Sequence, residues 1–360
     1  MLQGIRSLTT RMRLHADKDV NVMVTMKKIA ELCGVSRGTV DRALNGRGRV
    51  NAETAAMIRK MAKQLGYEPN PAGKALAARK NNPVIGVLLP SEGNAFFDDV
   101  IHGMDLAASS YAVYGLKVRY YLMKGYDVEK QLALMESMRH QVNALIISPI
   151  DDPRIAAAID SLVADGIFVL TVVSDIDSSQ RRAYVGSDYF NGGETACALL
   201  ELLLGKKASV GLVMGSRQVL GHRLRLEGFR HRMERLPDFT IAGIVENGDD
   251  EICSYERTKE LLQKRPDISA MFCMAGGVYG ACRAVMQLPE EKRPLVIAFD
   301  SVPTTVEMMR CGVVKAILFQ HPTRQGRLSV QLAFEYLVNG RLPDKTWYLM
   351  KNEIRLLENL

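Results

Sequence analysis

From Pro83 onward the chain alternates between short apolar runs and longer amphipathic stretches, and this alternation restricts the folds open to it more than any other feature. The runs are Val84–Leu89, Lys117–Leu122, Ala144–Ser148, Phe168–Val173, Ser209–Met214, Ile241–Val245, Ala270–Cys273, Leu295–Phe299 and Val314–Leu318. They are rich in Val, Ile and Leu and bounded by Gly, Pro, Asp or Ser, as strands buried on both faces are. Between them lie stretches such as Ile155–Ala164 and Val128–His140, the latter with apolar Leu132, Leu134, Met135 and Met138. Such an alternation predicts an α/β fold with parallel sheets covered by helices on both faces. This many strands predict two doubly wound lobes. Ligands bind such sheets at the carboxyl ends of their strands, and a cleft between two lobes is a natural small-molecule site.

At 360 residues the chain exceeds one ordinary core, so two or three domains are expected. Its hydrophobic fraction is 47%, and no apolar run reaches the roughly 18 residues a membrane span needs. Residues 1–22 are polar and basic and hold no apolar stretch that could serve as an export signal. They read as a loose, unordered arm, with Met23 or Met26 as the natural start. A cytoplasmic protein without a membrane partner is expected. Cys33, Cys197, Cys253, Cys273, Cys282 and Cys311 are scattered, with no C-x-x-C pair, so neither a disulfide framework nor a metal site is expected. Buried reduced thiols suit that compartment. The charge is uneven. Residues 1–80 hold 16 Lys+Arg against 6 Asp+Glu, a net of +10, whereas the whole chain is +7 and residues 81–360 are therefore −3. A basic head attracts phosphate backbones, and a mildly acidic body does not.

The head reads as three short helices over residues 25–66. Ile29, Ala30 and Cys33 make the inner face of the first, with Ala30 small where two helices approach. Gly34 supplies positive φ for a tight turn. Val35 fills the corner, and Ser36 caps the second helix through a backbone N–H. Val40, Ala43 and Leu44 form the second helix's apolar face. The third helix, Ala52–Leu65, packs Ala55, Ile58, Met61 and Ala62 against the pair. Two helices joined in this way form a helix-turn-helix, whose second helix enters the major groove of DNA with its N-terminal part. Its outward residues are Arg37, Gly38, Asp41 and Arg42. Arg37 can donate two hydrogen bonds to a guanine edge, and Arg42 can do the same or hold a phosphate. Asn45, Arg49, Asn51 and Thr54 lie beyond that helix, where phosphate contacts are expected. Thr25, Lys27, Ser36, Thr39 and Tyr67 are included in the expected DNA-facing set.

Next comes Leu65-Gly-Tyr-Glu-Pro-Asn-Pro-Ala-Gly-Lys-Ala-Leu-Ala-Ala-Arg-Lys. Asn70 can cap a short helix with Pro71 at its first position. Ala72–Arg79 has helix-forming composition but too few turns to be stable alone, and can fold when held against DNA. Leu76 is its one bulky apolar residue, and a protruding leucine can wedge into a minor-groove base step. With V-T-M-K-K-I-A-E-L-C-G-V-S-R-G-T-V-D-R-A-L-N followed by L-G-Y-E-P-N-P-A-G-K-A-L-A, residues 24–80 resemble the DNA-binding domain and hinge helix of the lactose-repressor (LacI/GalR) family. The resemblance implies a homodimer on a near-palindromic operator in double-stranded DNA, with Leu76 as the intercalating residue. Asp41 departs from the serine usual in T-V-S-R. A carboxylate there repels phosphates or accepts from a cytosine amino group, which implies a different operator preference.

The resemblance continues from Pro83 to about Leu356, where the chain is similar to the ribose-type periplasmic sugar-binding fold. Asn94-Ala-Phe-Phe-Asp matches the family's N-x-F-F, with Asn94 orienting a hydroxyl and Phe96 and Phe97 stacking on sugar C–H faces; the two rings can equally be core. Arg225-Leu-Glu-Gly-Phe229 matches R-x-x-G-F, Ile297-Ala-Phe-Asp300 the strand-end carboxylate, and Leu318-Phe-Gln320 the ligand amide. Ser174-Asp175 ends the fourth strand as a weaker contact. Tyr184-Val-Gly-Ser-Asp188 resembles V-G-x-D and reads as the opening of a helix. Ala275-Gly-Gly277 stands where many sugar-binding members have Asn-Asp, so one polar contact is lost unless backbone N–H groups replace it. The expected division is an arm at 1–22, a helix-turn-helix at 23–68, a hinge helix and linker at 69–82 and a two-lobed effector domain at 83–360.

No H-E-x-x-H or G-x-x-x-x-G-K-[ST] is present, so no catalytic residue, cofactor or metal is expected. The expected function is a ligand-responsive transcription regulator, a repressor, sensing a small carbohydrate or polyol. A nucleobase, nucleoside or phosphorylated sugar is the alternative effector.

Overall fold

In a computed structural model, the described residues are 24–44, 50–67, 75, 76, 78–80 and 82–360. The N-terminal arm and the expected DNA contacts Asn45, Arg49 and Asn70 lie outside them. The chain divides into two compact units, Met1–Pro71 and Ala72–Leu360.

The first unit holds helices α1 (Met26–Cys33), α2 (Arg37–Leu44) and α3 (Ala52–Gln64). Gly34 ends α1 at φ 64, and its N–H reaches the Ala30 and Glu31 carbonyls, a left-handed cap that a β-carbon disfavours. Ile29, Ala30, Val40, Ala43, Ala55, Ile58 and Ala62 form a single small core. The small residues let three short helices bury their inner faces together.

The second unit holds two six-stranded sheets. The first runs β11-β5-β4-β3-β1-β2 and the second β12-β10-β9-β8-β6-β7. The strands are β1 (Val84–Leu89), β2 (Lys117–Leu122), β3 (Ala144–Ile147), β4 (Phe168–Val172), β5 (Ala183–Ser187), β6 (Lys207–Met214), β7 (Asp238–Glu246), β8 (Ala270–Cys273), β9 (Leu295–Phe299), β10 (Val314–Phe319), β11 (Trp347–Met350) and β12 (Glu353–Arg355). All pairs are parallel except β10 with β12. The helices are α4 (Phe96–Ser110), α5 (Val128–Met138), α6 (Pro153–Ala164), α7 (Tyr189–Leu204), α8 (Leu220–Met233), α9 (Glu251–Lys264), α10 (Val278–Val285), α11 (Pro303–Arg310) and α12 (Pro322–Asn339). Every residue of β1, β3, β4, β5 and β8 is buried. Each sheet carries apolar clusters on both faces, as doubly wound sheets require. The chain crosses between the lobes after β5, after β10 and between β11 and β12, because α12 returns to pack on α4 of the first lobe.

Three strands were not expected. Tyr184–Ser187 belongs to β5, and the helix opens only at Asp188, whose carboxylate caps α7 through the Asn191 N–H at 3.0 Å. β11 and β12 are short edge strands with exposed positions, so they lack the apolar signature of buried ones. Around Leu76, residues 75, 76 and 78–80 are helical. Ala75 and Ala78 are buried there, and Arg79 Nε donates to the Val113 carbonyl at 2.9 Å. All six cysteines are free; Cys197, Cys273 and Cys282 are buried, but Cys311 is exposed.

Candidate functional site

The outer face of the first unit is built from helix caps. Thr25 Oγ1 accepts from the Lys28 N–H at 3.3 Å, Ser36 Oγ from the Thr39 N–H at 3.1 Å, and Asn51 Oδ1 from the Glu53 N–H at 2.9 Å. These three expected DNA contacts therefore spend acceptor capacity on local structure. Arg37, Gly38 and Arg42 are exposed on α2, with Thr39 and Asp41 half-buried. Arg42 Nη2 lies 3.4 Å from Thr39 Oγ1. Lys27 is exposed and Thr54 half-buried. Burial and Asp41 raise the pKa of the Tyr67 phenol and Arg37 opposes them, and the residue packs against the three-helix core. Leu76, in the second unit, is 64% exposed, which is the condition for a protruding wedge.

The second unit has a cleft at the carboxyl ends of its strands. Asn94, Phe96, Phe97, Ser174, Arg225, Asp300 and Gln320 all line it. Phe96 and Phe97 open α4, meet edge to face at 5.5 Å, and belong to the first lobe's core as well as to the cleft wall. Asn94 Oδ1 accepts from the Phe96 N–H at 3.1 Å, which fixes that turn. From the second lobe, Arg225 is 3% exposed. Its guanidinium lies 3.8 Å above the Phe299 ring and 4.6 Å from that of Tyr189, and it donates to the Met274 carbonyl. Gln320 Nε2 donates to both oxygens of Asp300, at 2.9 and 3.0 Å. Burial pushes the Asp300 carboxyl up to about 6, against the opposing pull of Arg225 and Gln320.

Four polar atoms of this lining are buried without a partner: Ser174 Oγ, Arg225 Nε, Thr305 Oγ1 and Gln320 Oε1. A buried polar atom left unpaired costs about 1–3 kcal/mol, so such a group converging on one cleft calls for a polar ligand. The lobes already meet across it. Tyr126 donates to Asp249, the Asp151 N–H to the Gln218 carbonyl at 2.9 Å, and Arg223 pairs with Asp151.

Asp175 does not line the cleft. Val173 takes φ 64 and the Ser174 N–H turns back to the Val172 carbonyl at 2.7 Å, which breaks the strand's alternation. The Asp175 carboxylate is instead buried against Arg181 and accepts from Thr171 Oγ1 at 2.7 Å. A buried carboxylate paired this way is structural. The glycines of Ala275-Gly-Gly277 do line the cleft, but the Gly276 N–H is already donated to Asp249. Sequence reasoning missed Tyr126, Tyr189, His222, Asp249 and Glu251, which line the cleft but stand in none of the motifs quoted above. Tyr126 and Asp249 each follow the end of a strand, and that position was the one available signal.

Residues 25–70 match the lacI family of bacterial regulatory proteins, and residues 85–341 match the periplasmic binding protein domain. The chain is a lacI-family regulator on a periplasmic-binding-protein body. Among relatives of this lacI-family regulator, the ribose import binding protein of Bacillus subtilis is 28% identical over 286 residues, covering 77% of this chain and 89% of that one. The HTH-type transcriptional regulator GalS of Salmonella typhimurium is 24% identical over 288 residues, covering 78% and 81%. A solved glucose-galactose binding protein from Geobacillus stearothermophilus superimposes with a TM-score of 0.71 at 23% identity, over 77% of this chain and 99% of that one. That likeness concerns the fold. Among the described residues of the regulator, no helix is long and apolar enough to cross a membrane.

Proposed function

We propose that this lacI-family regulator is a cytoplasmic repressor that binds a near-palindromic operator as a homodimer and senses a small carbohydrate or polyol in its cleft. The observation that carries the effector reading is the convergence of four unpartnered buried polar atoms on that cleft. The Bacillus subtilis relative named for ribose supports a carbohydrate over a nucleobase or nucleoside. Arg225, Gln320, Asp300, Ser174 and Asn94 are assigned to ligand oxygens, and Phe96 and Phe97 to C–H faces. The cleft serves binding, not turnover. The division into arm, reading head, hinge segment and effector body is part of the same proposal, with Leu76 as the hinge wedge. Effector control is a coupling energy between cleft and operator, typically about 1–3 kcal/mol.

A thermal-shift panel of neutral pentoses, hexoses and polyols tests this reading. A ligand at about 100 times its Kd adds roughly 2.7 kcal/mol, a shift of several degrees. A broad panel without any shift would refute the sugar assignment. On the DNA side, Arg37→Ala is expected to cost about 1–3 kcal/mol and to relax base preference at one position per half-site. Unchanged selectivity in a randomised-site selection would remove Arg37 from base readout.

Asp300 gives the sugar affinity a pH dependence. Its carboxyl is raised from 3.8 to about 6, because burial disfavours the charged form. The ionised carboxylate therefore costs stability at neutral pH, and that cost is relieved progressively as pH falls from about 6 to 3.8. The same protonation removes a charged acceptor. Sugar affinity measured by calorimetry is expected to fall between about pH 8 and pH 5 while stability does not lose Asp300's contribution. A flat affinity profile over that range would show that Asp300 does not hold the ligand as a carboxylate.

A further inference from the structure

The N-terminus of α10 opens onto the cleft at Ala275–Val278. The free N–H groups and positive dipole end of a helix form a ready seat for a phosphate or carboxylate. Here the seat is filled from within. Glu251 Oε2 accepts from the Gly280 N–H at 2.7 Å, and the Tyr279 N–H adds to the same carboxylate. Asp249 Oδ1 accepts from the Gly276 N–H at 2.9 Å.

Asp249 is held firmly in this place. Its backbone is left-handed at φ 60, and its own N–H donates to Asn247 Oδ1 at 2.9 Å. Asn247 is 3% exposed and donates in turn to the Gly276 carbonyl at 2.9 Å. The second Asp249 oxygen accepts from the Tyr126 phenol, which belongs to the other lobe. The lining therefore carries three carboxylates, Asp249, Glu251 and Asp300, against the single guanidinium of Arg225. His222 adds no charge: burial lowers its pKa, and Nδ1 accepts from the Ser216 N–H at 3.1 Å. Arg225 still has its buried Nε to offer a ligand oxygen, but its positive field is already opposed.

We propose that the cleft excludes anions: its effector is an uncharged polyhydroxyl compound, and Asp249 and Glu251 reject phosphorylated and carboxylated analogues. This inference rests on the cleft being the effector site. The rejecting groups work by occupying the helix end that would otherwise receive the anion and by placing fixed negative charge beside it. A neutral hydroxyl meets no such penalty, because it donates to carboxylates and accepts from Arg225.

The full-length protein tests this with matched pairs at constant ionic strength: D-ribose with D-ribose 5-phosphate, D-galactose with D-galacturonate, and D-glucose with D-gluconate. Inorganic phosphate alone is the additional probe. Melting curves and calorimetry are expected to show that the neutral member binds at least about 100-fold more tightly than its anionic partner, and that phosphate does not stabilise the protein beyond chloride. In Asp249→Asn and Glu251→Gln, whose ligand-free melting curves verify folding, the ratio is expected to narrow by at least about tenfold and phosphate to become protective. Anion binding by the unmodified protein as tight as that of the neutral partner, or stabilisation by phosphate, would overturn the inference. So would an unaltered phosphate response in both variants. If no neutral sugar binds, the carbohydrate reading falls, while the phosphate arm still decides the charge rule.

Discussion

Arg225→Ala is expected to abolish the response to the sugar while leaving operator binding within about threefold of the unmodified regulator. The charge-assisted hydrogen bond that its free Nε can offer is worth about 1.5–3 kcal/mol, which corresponds to a loss of at least about tenfold in sugar affinity. The fold should survive, because Arg225 makes no ion pair among the described residues and its stacking partners Phe299 and Tyr189 stay in place. Asp300 loses its nearest compensating charge and titrates still higher. Calorimetry with a sugar from the panel, together with operator titrations with and without it, separates the outcomes. Retained affinity would remove Arg225 from the ligand contacts. A parallel loss of operator binding would mean that the substitution damages the fold.

Gly193→Val is expected to destabilise the second lobe by about 3 kcal/mol or more, the upper range of overpacking. A β-carbon at Gly193 on α7 would sit 2.0 Å from the Arg225 carbonyl and 2.7 Å from the Phe229 nitrogen. Both are backbone atoms of α8, so no flexible side chain can yield. Gly228 on α8 makes the reciprocal approach, with a β-carbon 1.9 Å from the Phe190 carbonyl. The helices touch through their backbones, and any wedge between them also moves the carrier of Arg225. Urea denaturation checks this, with a wild-type midpoint as the result that would refute it. The contact also explains the three-part motif ending in Phe229. Arg225 faces the cleft, Gly228 lets α8 approach α7, and Phe229 is fully buried in the core.

Most of the cleft was legible through the motifs of the family resemblance, and Asn94, Phe96, Phe97, Arg225, Asp300 and Gln320 line it together. Asp175 was misplaced because a strand's two-residue alternation cannot anticipate the left-handed turn at Val173. β5 was hidden by a Gly and a Ser within a short run, and β11 and β12 by their exposure at the sheet edges.

The amino-acid sequence alone determined the helix-turn-helix, whose glycine turn, caps and apolar faces are local, and the parallel α/β body, whose buried strands carry their signature in consecutive residues. Only the tertiary structure decided what fills the cleft's helix end. Tyr126, Asp249 and Glu251 come from segments far apart in the chain, and Asp249 becomes a clasp only when two lobes bring a phenol to it. Gly276 likewise reads as a missing contact until its N–H is seen donated to that carboxylate. Local propensities set the elements, but charge selectivity depends on which non-local groups share one small, desolvated space.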